Sequence, residues 1–141
     1  MKRTFLLMVI TAMALAVVSC RQNRDLTPPI EFAPYISAYT GGVISSDGTI
    51  RIELTEEQQI VQMGEEVKED LFDFSPGVKG KTYWANNRTI EFVPDSGQLR
   101  PGTLYNATFR LGRVMKVEKK MEDFRFSFRV QERDFTARIT S

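Results

Sequence analysis

Few residues in this 141-residue chain could do chemistry. It has no histidine and a single cysteine, Cys20. Without an imidazole there is no Ser–His or Cys–His nucleophilic pair, and the commonest metal ligand is missing. Lysine or carboxylate catalysis stays formally open, but no spacing arranges it. The stretch Ser75-Pro76-Gly77-Val78-Lys79-Gly80-Lys81-Thr82 ends in a Gly-Lys-Thr triplet. A phosphate-cradling loop needs another glycine five residues before Gly80 and a helix after Thr82, whose free N–H groups face the phosphates. Ser75 stands where that glycine belongs and Thr82-Tyr83-Trp84 opens a strand, so the stretch reads as a turn between strands. Glu56-Glu57, Glu65-Glu66 and Glu69-Asp70 concentrate acid. None lies in a loop with alternating Asp or Asn, a central Gly and a distal Glu, the pattern that calcium requires. A solvated acidic loop without metal is the expectation.

Two groups are candidates for binding instead. Tyr83 and Trp84 are adjacent, so a strand would put one on each face, one in the core and the other exposed to a glycan or protein or covered by the acidic loop. Arg110, Arg113, Lys116, Lys119 and Lys120 form a basic cluster relieved only by Glu118 and Glu122. The cluster could meet lipid head groups or an acidic partner. Equally, it could be a polar connection, with Val114, Val117 and Met121 folded down onto the domain.

The remaining reactive group is the Cys20 thiol, and its setting is specific. Lys2 and Arg3 precede a 14-residue uncharged, mostly apolar run, Phe5 to Val18, which Ser19-Cys20 closes. That is the three-part layout of a secretory signal. As a helix the run spans roughly 21 Å, short of the roughly 30 Å core of a bilayer, so it is a leader and not a membrane span. The ending Val17-Val18-Ser19-Cys20 resembles a bacterial lipobox. The resemblance implies a diacylglycerol on the Cys20 thiol, cleavage between Ser19 and Cys20, and acylation of the freed amine. No other cofactor is expected. Arg21-Gln22-Asn23-Arg24 is not the acidic run that follows the lipidated cysteine in some surface-exposed lipoproteins. The expected address is the periplasmic face of the outer membrane.

Removing the 19-residue leader leaves 122 residues, enough for one domain. The whole chain carries formal charge +1 and the leader contributes two cations, leaving −1, which gives no steering towards nucleic acid. A lone cysteine makes no internal disulfide, so the fold must stand on its core, which ten Phe, four Tyr and one Trp can supply. Residues 20–30 read as a lipidated tether stiffened by Pro28-Pro29. From there to about 133 the pattern has period two, with turn chemistry every eight to fifteen residues. Strands are expected at Ile36 to Thr40, Ile50 to Leu54, around Phe72 and Phe74, at Lys81 to Ala85 and Thr89 to Val93, at Tyr105 to Leu111, and at Phe124 to Val130. Asn86-Asn87 is expected to make a tight hairpin with positive φ, and Glu66 to Asp70 a turn of helix. About seven short strands without a long helix predict an all-β, single immunoglobulin-like (Ig-like) sandwich.

Thr89-Ile90-Glu91-Phe92-Val93-Pro94, then Leu99-Arg100-Pro101-Gly102-Thr103-Leu104-Tyr105, then Phe124-Arg125-Phe126-Ser127-Phe128 resemble the ordered signature of bacterial Ig-like domains first described in surface-layer proteins. The resemblance covers about Tyr35 to Gln131 and implies that the Tyr105 hydroxyl bonds backbone at a tyrosine corner. A leader followed by such a domain, with Phe74-Ser75-Pro76, Tyr83-Trp84 and Asn87-Arg88-Thr89, is similar to the front end of bacterial alpha-2-macroglobulin-like lipoproteins. That implies a non-enzymatic, membrane-anchored spacer or support module whose partners are the outer membrane and a following macroglobulin domain. The bait segment and the Cys–Gln thioester of those long proteins have no counterpart here. In residues 134–141, Phe135, Ala137 and Ile139 alternate with Thr136, Arg138 and Thr140, as in the first strand of a next domain. The expectation is a fragment, an early stop or a shortened relative. The alternative is a free-standing envelope lipoprotein binding glycan or protein through Tyr83 or Trp84 and the neighbouring loops.

Overall fold

Alternation builds this fold, and the last strand displays it best. Phe124, Phe126, Phe128 and Val130 are all buried, while Arg125 and Arg129 between them are exposed. The computed structural model describes residues 23–59 and 62–133. The leader, Cys20 and the tail from 134 to 141 lie outside the described residues.

Among the described residues nine strands form two sheets: β1 (Ile36–Tyr39), β2 (Gly42–Ile44), β3 (Ile50–Leu54), β4 (Glu66–Val67), β5 (Phe72–Ser75), β6 (Gly80–Trp84), β7 (Thr89–Pro94), β8 (Leu104–Arg110) and β9 (Asp123–Val130). One sheet runs β1-β3-β7-β6-β4, and the other runs β2-β9-β8-β5. Every pair is antiparallel except β2 with β9. The sheets pack face to face as a β-sandwich, with Phe74 of β5 and Phe92 of β7 meeting at 4.7 Å across the core. Such offset aromatic contacts add to the burial of apolar area.

The expected strands all form, and two more join them. β2 is short and has exposed Val43, so alternation does not announce it. The chain leaves the first sheet after β1, turns at Gly42 (φ 67°) and lies parallel to Phe128–Val130. A side chain at that φ would be strained, which glycine avoids. The expected helical turn at Glu66 to Asp70 is absent. Glu66 and Val67 instead extend as β4 opposite Tyr83 and Thr82, because a neighbouring strand offers their backbone a ladder. The hairpin between β6 and β7 is also looser than expected. Among the described residues no non-glycine residue has positive φ. The loop takes four residues, 85–88, and the Asn86 Oδ1 accepts from the N–H groups of Arg88 (2.9 Å) and Thr89 (2.8 Å). An asparagine side chain has replaced the strained two-residue turn.

The corner before β8 forms as the motif implied. Tyr105 is 1% exposed, and its hydroxyl accepts from the Arg100 N–H (3.0 Å) and donates to the Gln98 carbonyl (3.2 Å).

Candidate functional site

Strand direction gives the sandwich two distinct ends. Ser75 pairs with Asn106 and Phe72 with Phe109, so Ser75 and Leu104 share one end and Leu71 lies at the other. Gly80 pairs with Pro94 and Trp84 with Ile90, which carries Trp84 to the same far end as Leu71. There the chain forms an open cleft of about 810 Å³.

Its floor is apolar: Tyr35, Val67, Leu71, Trp84, Val114 and Met115. Trp84 and Tyr35 are half-buried and rest against the core. The charged lining mixes Glu56, Glu57 and Glu69 with Arg113 and Lys116. The Gln58 N–H, beside Glu57, donates to Asn87 O (2.8 Å). Asp70, next to Glu69, gathers two arginines. Arg110 pairs with its carboxylate at 2.7 Å, and Arg113 donates to its carbonyl at 2.8 Å.

The cleft therefore unites Trp84, Arg113 and Lys116 of the sequence candidates and separates them from the rest. Tyr83 points to the opposite face of β6, half-buried between its register partners Glu66 and Glu91. Lys119 and Lys120 are exposed on a 3-10 turn, Lys119–Met121, outside the cleft, with Lys120 near Glu118 (3.4 Å). Val114, Val117 and Met121 fold onto the core. Ser19 and Cys20 lie outside the described residues. Sequence reasoning missed Tyr35, Leu71 and Met115 as lining residues. They meet Trp84 only through long-range pairing, and no local spacing marks them.

The Gly-Lys-Thr triplet is part of β6. A Cβ on Gly80 would stand 2.3 Å from the Val93 carbonyl oxygen, so glycine is required by close strand approach and not by a phosphate. Thr82 is buried at 7% exposure, and Lys81 binds Glu66 at 3.2 Å. The hydrogen bond and charge of Glu66 raise the Lys81 pKa above its ordinary 10.5. Among the described residues no group of three acidic or thiol side chains could hold a metal. What the cleft offers chemically is an aromatic and aliphatic lining beside charges of both signs, suited to binding.

No protein-family model matches the sequence, and no curated protein matches it. Solved structures similar in fold include L,D-transpeptidase 3 from Mycobacterium tuberculosis in complex with a faropenem-derived adduct. The TM-score is 0.46 at 11% identity, over 71% of this chain and 39% of that one. The structure of an L,D-transpeptidase from M. tuberculosis H37Rv aligns with TM-score 0.46 at 12% identity, over 69% of this chain and 40% of that one. This chain thus spans well under half of each. A likeness of this size assigns no activity here.

Proposed function

We propose that the chain is a non-enzymatic, membrane-anchored Ig-like module of the cell envelope. In this reading it is the amino-terminal spacer and support domain of an alpha-2-macroglobulin-like lipoprotein. The observation that carries it is the corner at Tyr105, whose hydroxyl bridges Gln98 and Arg100 inside the Leu-Arg-Pro-Gly-Thr-Leu-Tyr motif. This supports the Ig-like resemblance at its most specific residues. The lipobox ending at Cys20 supports the anchor, and the outer membrane and a following macroglobulin domain are the partners.

A specific observation favours a second reading, a free-standing envelope lipoprotein that binds glycan or protein. Trp84 is half-buried in a cleft whose lining includes charges of both signs, where a ring can both pack and bond a ligand.

One measurement separates the two: the intact mass of the native protein extracted from membranes. A product many times heavier than this chain, beginning at a lipidated Cys20, is the expected result for the spacer domain. A mass equal to residues 20–141 plus lipid moves the weight to the binding module. An unmodified thiol at Cys20 sinks the anchor in both.

A further inference from the structure

Ser127 is buried on the wrong face. It lies on the outer side of β9 between exposed Arg125 and Arg129, yet only 8% of it is accessible. The cover is part of the segment expected to be a lipidated tether. Leu26 N–H donates to Ser127 Oγ at 2.7 Å. The Ser127 hydroxyl stands 2.9 Å from Asn106 Oδ1 and 3.3 Å from the Arg24 carbonyl, either of which can accept its proton. One step earlier, Asn23 Nδ2 donates to the carbonyls of Leu104 (3.1 Å) and Ser75. Residues 23–26 thus bridge β5, β8 and β9 at the Ser75–Leu104 end, opposite the cleft.

We propose that residues 23–26 are a strap that mounts the sandwich end-on, holding its Ser75–Leu104 end against a lipid surface and leaving the Trp84 cleft facing away from it. The inference rests on the reading of Cys20 as the anchor. Three peptide steps lead from Cys20 to Asn23, so the lipid is held within about 11 Å of that end even with the chain extended. Along β8, Leu104 to Arg110 spans about 20 Å, which carries the cleft well clear of the head groups. With residues 20–30 as a free coil the reach would instead be about 17 Å in any direction, and the domain would tumble. The rim of the strapped end is polar and charged. Exposed Lys79, Arg100, Arg129 and the strap's Arg24 stand there with Asp25, Asp47, Asp95 and Glu132, so the charges balance and the short tether, not charge, sets which end meets the lipid. The cleft is then reached from the aqueous side, by a macromolecule or solute and not by the anchoring membrane.

Trp84 is the only tryptophan, which makes it a ruler. Residues 20–141 are coupled through Cys20 to a maleimide lipid in phosphatidylcholine–phosphatidylglycerol vesicles carrying dansyl head groups. This coupling forms the anchor chemically, so the outcome is independent of whether cells lipidate Cys20; the intact mass decides that separately. Energy transfer from Trp84 is expected to be weak, and to rise about twofold or more in an Asn23→Ala/Ser127→Ala variant, whose freed tether samples both ends. Strong transfer in the wild type, or equal transfer in the two proteins, overturns the strap. A second readout needs no variant. The Leu26 amide is expected to be protected from hydrogen exchange, and exchange at the rate of an unfolded chain overturns the proposal as well.

Discussion

At the scale of single residues, polar groups are placed where the backbone needs them. The Tyr105 hydroxyl is the clearest case, satisfying one N–H and one carbonyl of a corner that has no ladder partner. Tyr105→Phe keeps the ring stacked on Phe128 but leaves both groups short of a partner. The expected loss is about 1–3 kcal/mol. For a domain of about this size that lowers the melting temperature by about 4–8 °C per kcal/mol, measurable by a thermal melt. An unchanged melt would mean that the hydroxyl contributes nothing to the corner. Lys81 is the opposite case. Its partner Glu66 raises its pKa, but both side chains are at least half exposed, so water screens the pair. A raised folded-state pKa contributes stability fully present below the unfolded value of 10.5 and lost as pH rises through the folded value. Wild type is therefore expected to exceed Lys81→Met by a slight margin in urea midpoint at neutral pH. That margin disappears in strongly alkaline buffer. A margin that grew with pH would reverse the sign and remove the pair as its cause.

At the scale of elements, what could be read from the sequence was whatever repeats locally. β9 alternates over its whole length, and its central phenylalanine is expected to be the most costly to truncate. Phe126 is fully buried, with its ring 5.5 Å from both Phe124 and Tyr39. Phe126→Ala should remove about 3–5 kcal/mol, a large share of the roughly 5–15 kcal/mol that holds a domain together. Chemical denaturation measures this, and a loss below that of a surface substitution would place the core elsewhere. β3, β5 and β7 were legible for the same reason, as was the Leu99–Tyr105 corner, because a Pro-Gly turn and a tyrosine are local signals. β2 and β4 were not legible. Three and two residues are too few to show a period, and their place is set by β9 and β6, far away in sequence. The strap was hidden for a related reason: Asn23 and Leu26 look like linker residues until Ser75, Leu104 and Ser127 are brought beside them. Trp84 and Arg113 were legible as candidates by residue type, but their meeting at one cleft depends on the pairing of whole strands.

At the scale of the whole molecule, folding and anchoring are expected to be separable. Among the described residues the core runs from Phe32 to Val130. The lipobox resemblance implies two acyl chains on the thiol and one on the amine. Stable membrane attachment takes about two such signals, whereas a single chain holds only reversibly. Cys20→Ser removes the thiol that would carry the diacylglycerol. The variant is expected to move from the membrane pellet to the soluble fraction while keeping the wild-type melting temperature. Fractionation with a carbonate wash, followed by a melt of the released protein, tests both halves. A variant that stays in the pellet after carbonate would mean that something other than Cys20 holds the protein there. A variant that is released but melts several degrees lower would mean that the anchor and the strap act as one unit with the sandwich. The strap would then be a lever through which the membrane stabilises the fold, since Asn23 and Leu26 are the residues that join the two.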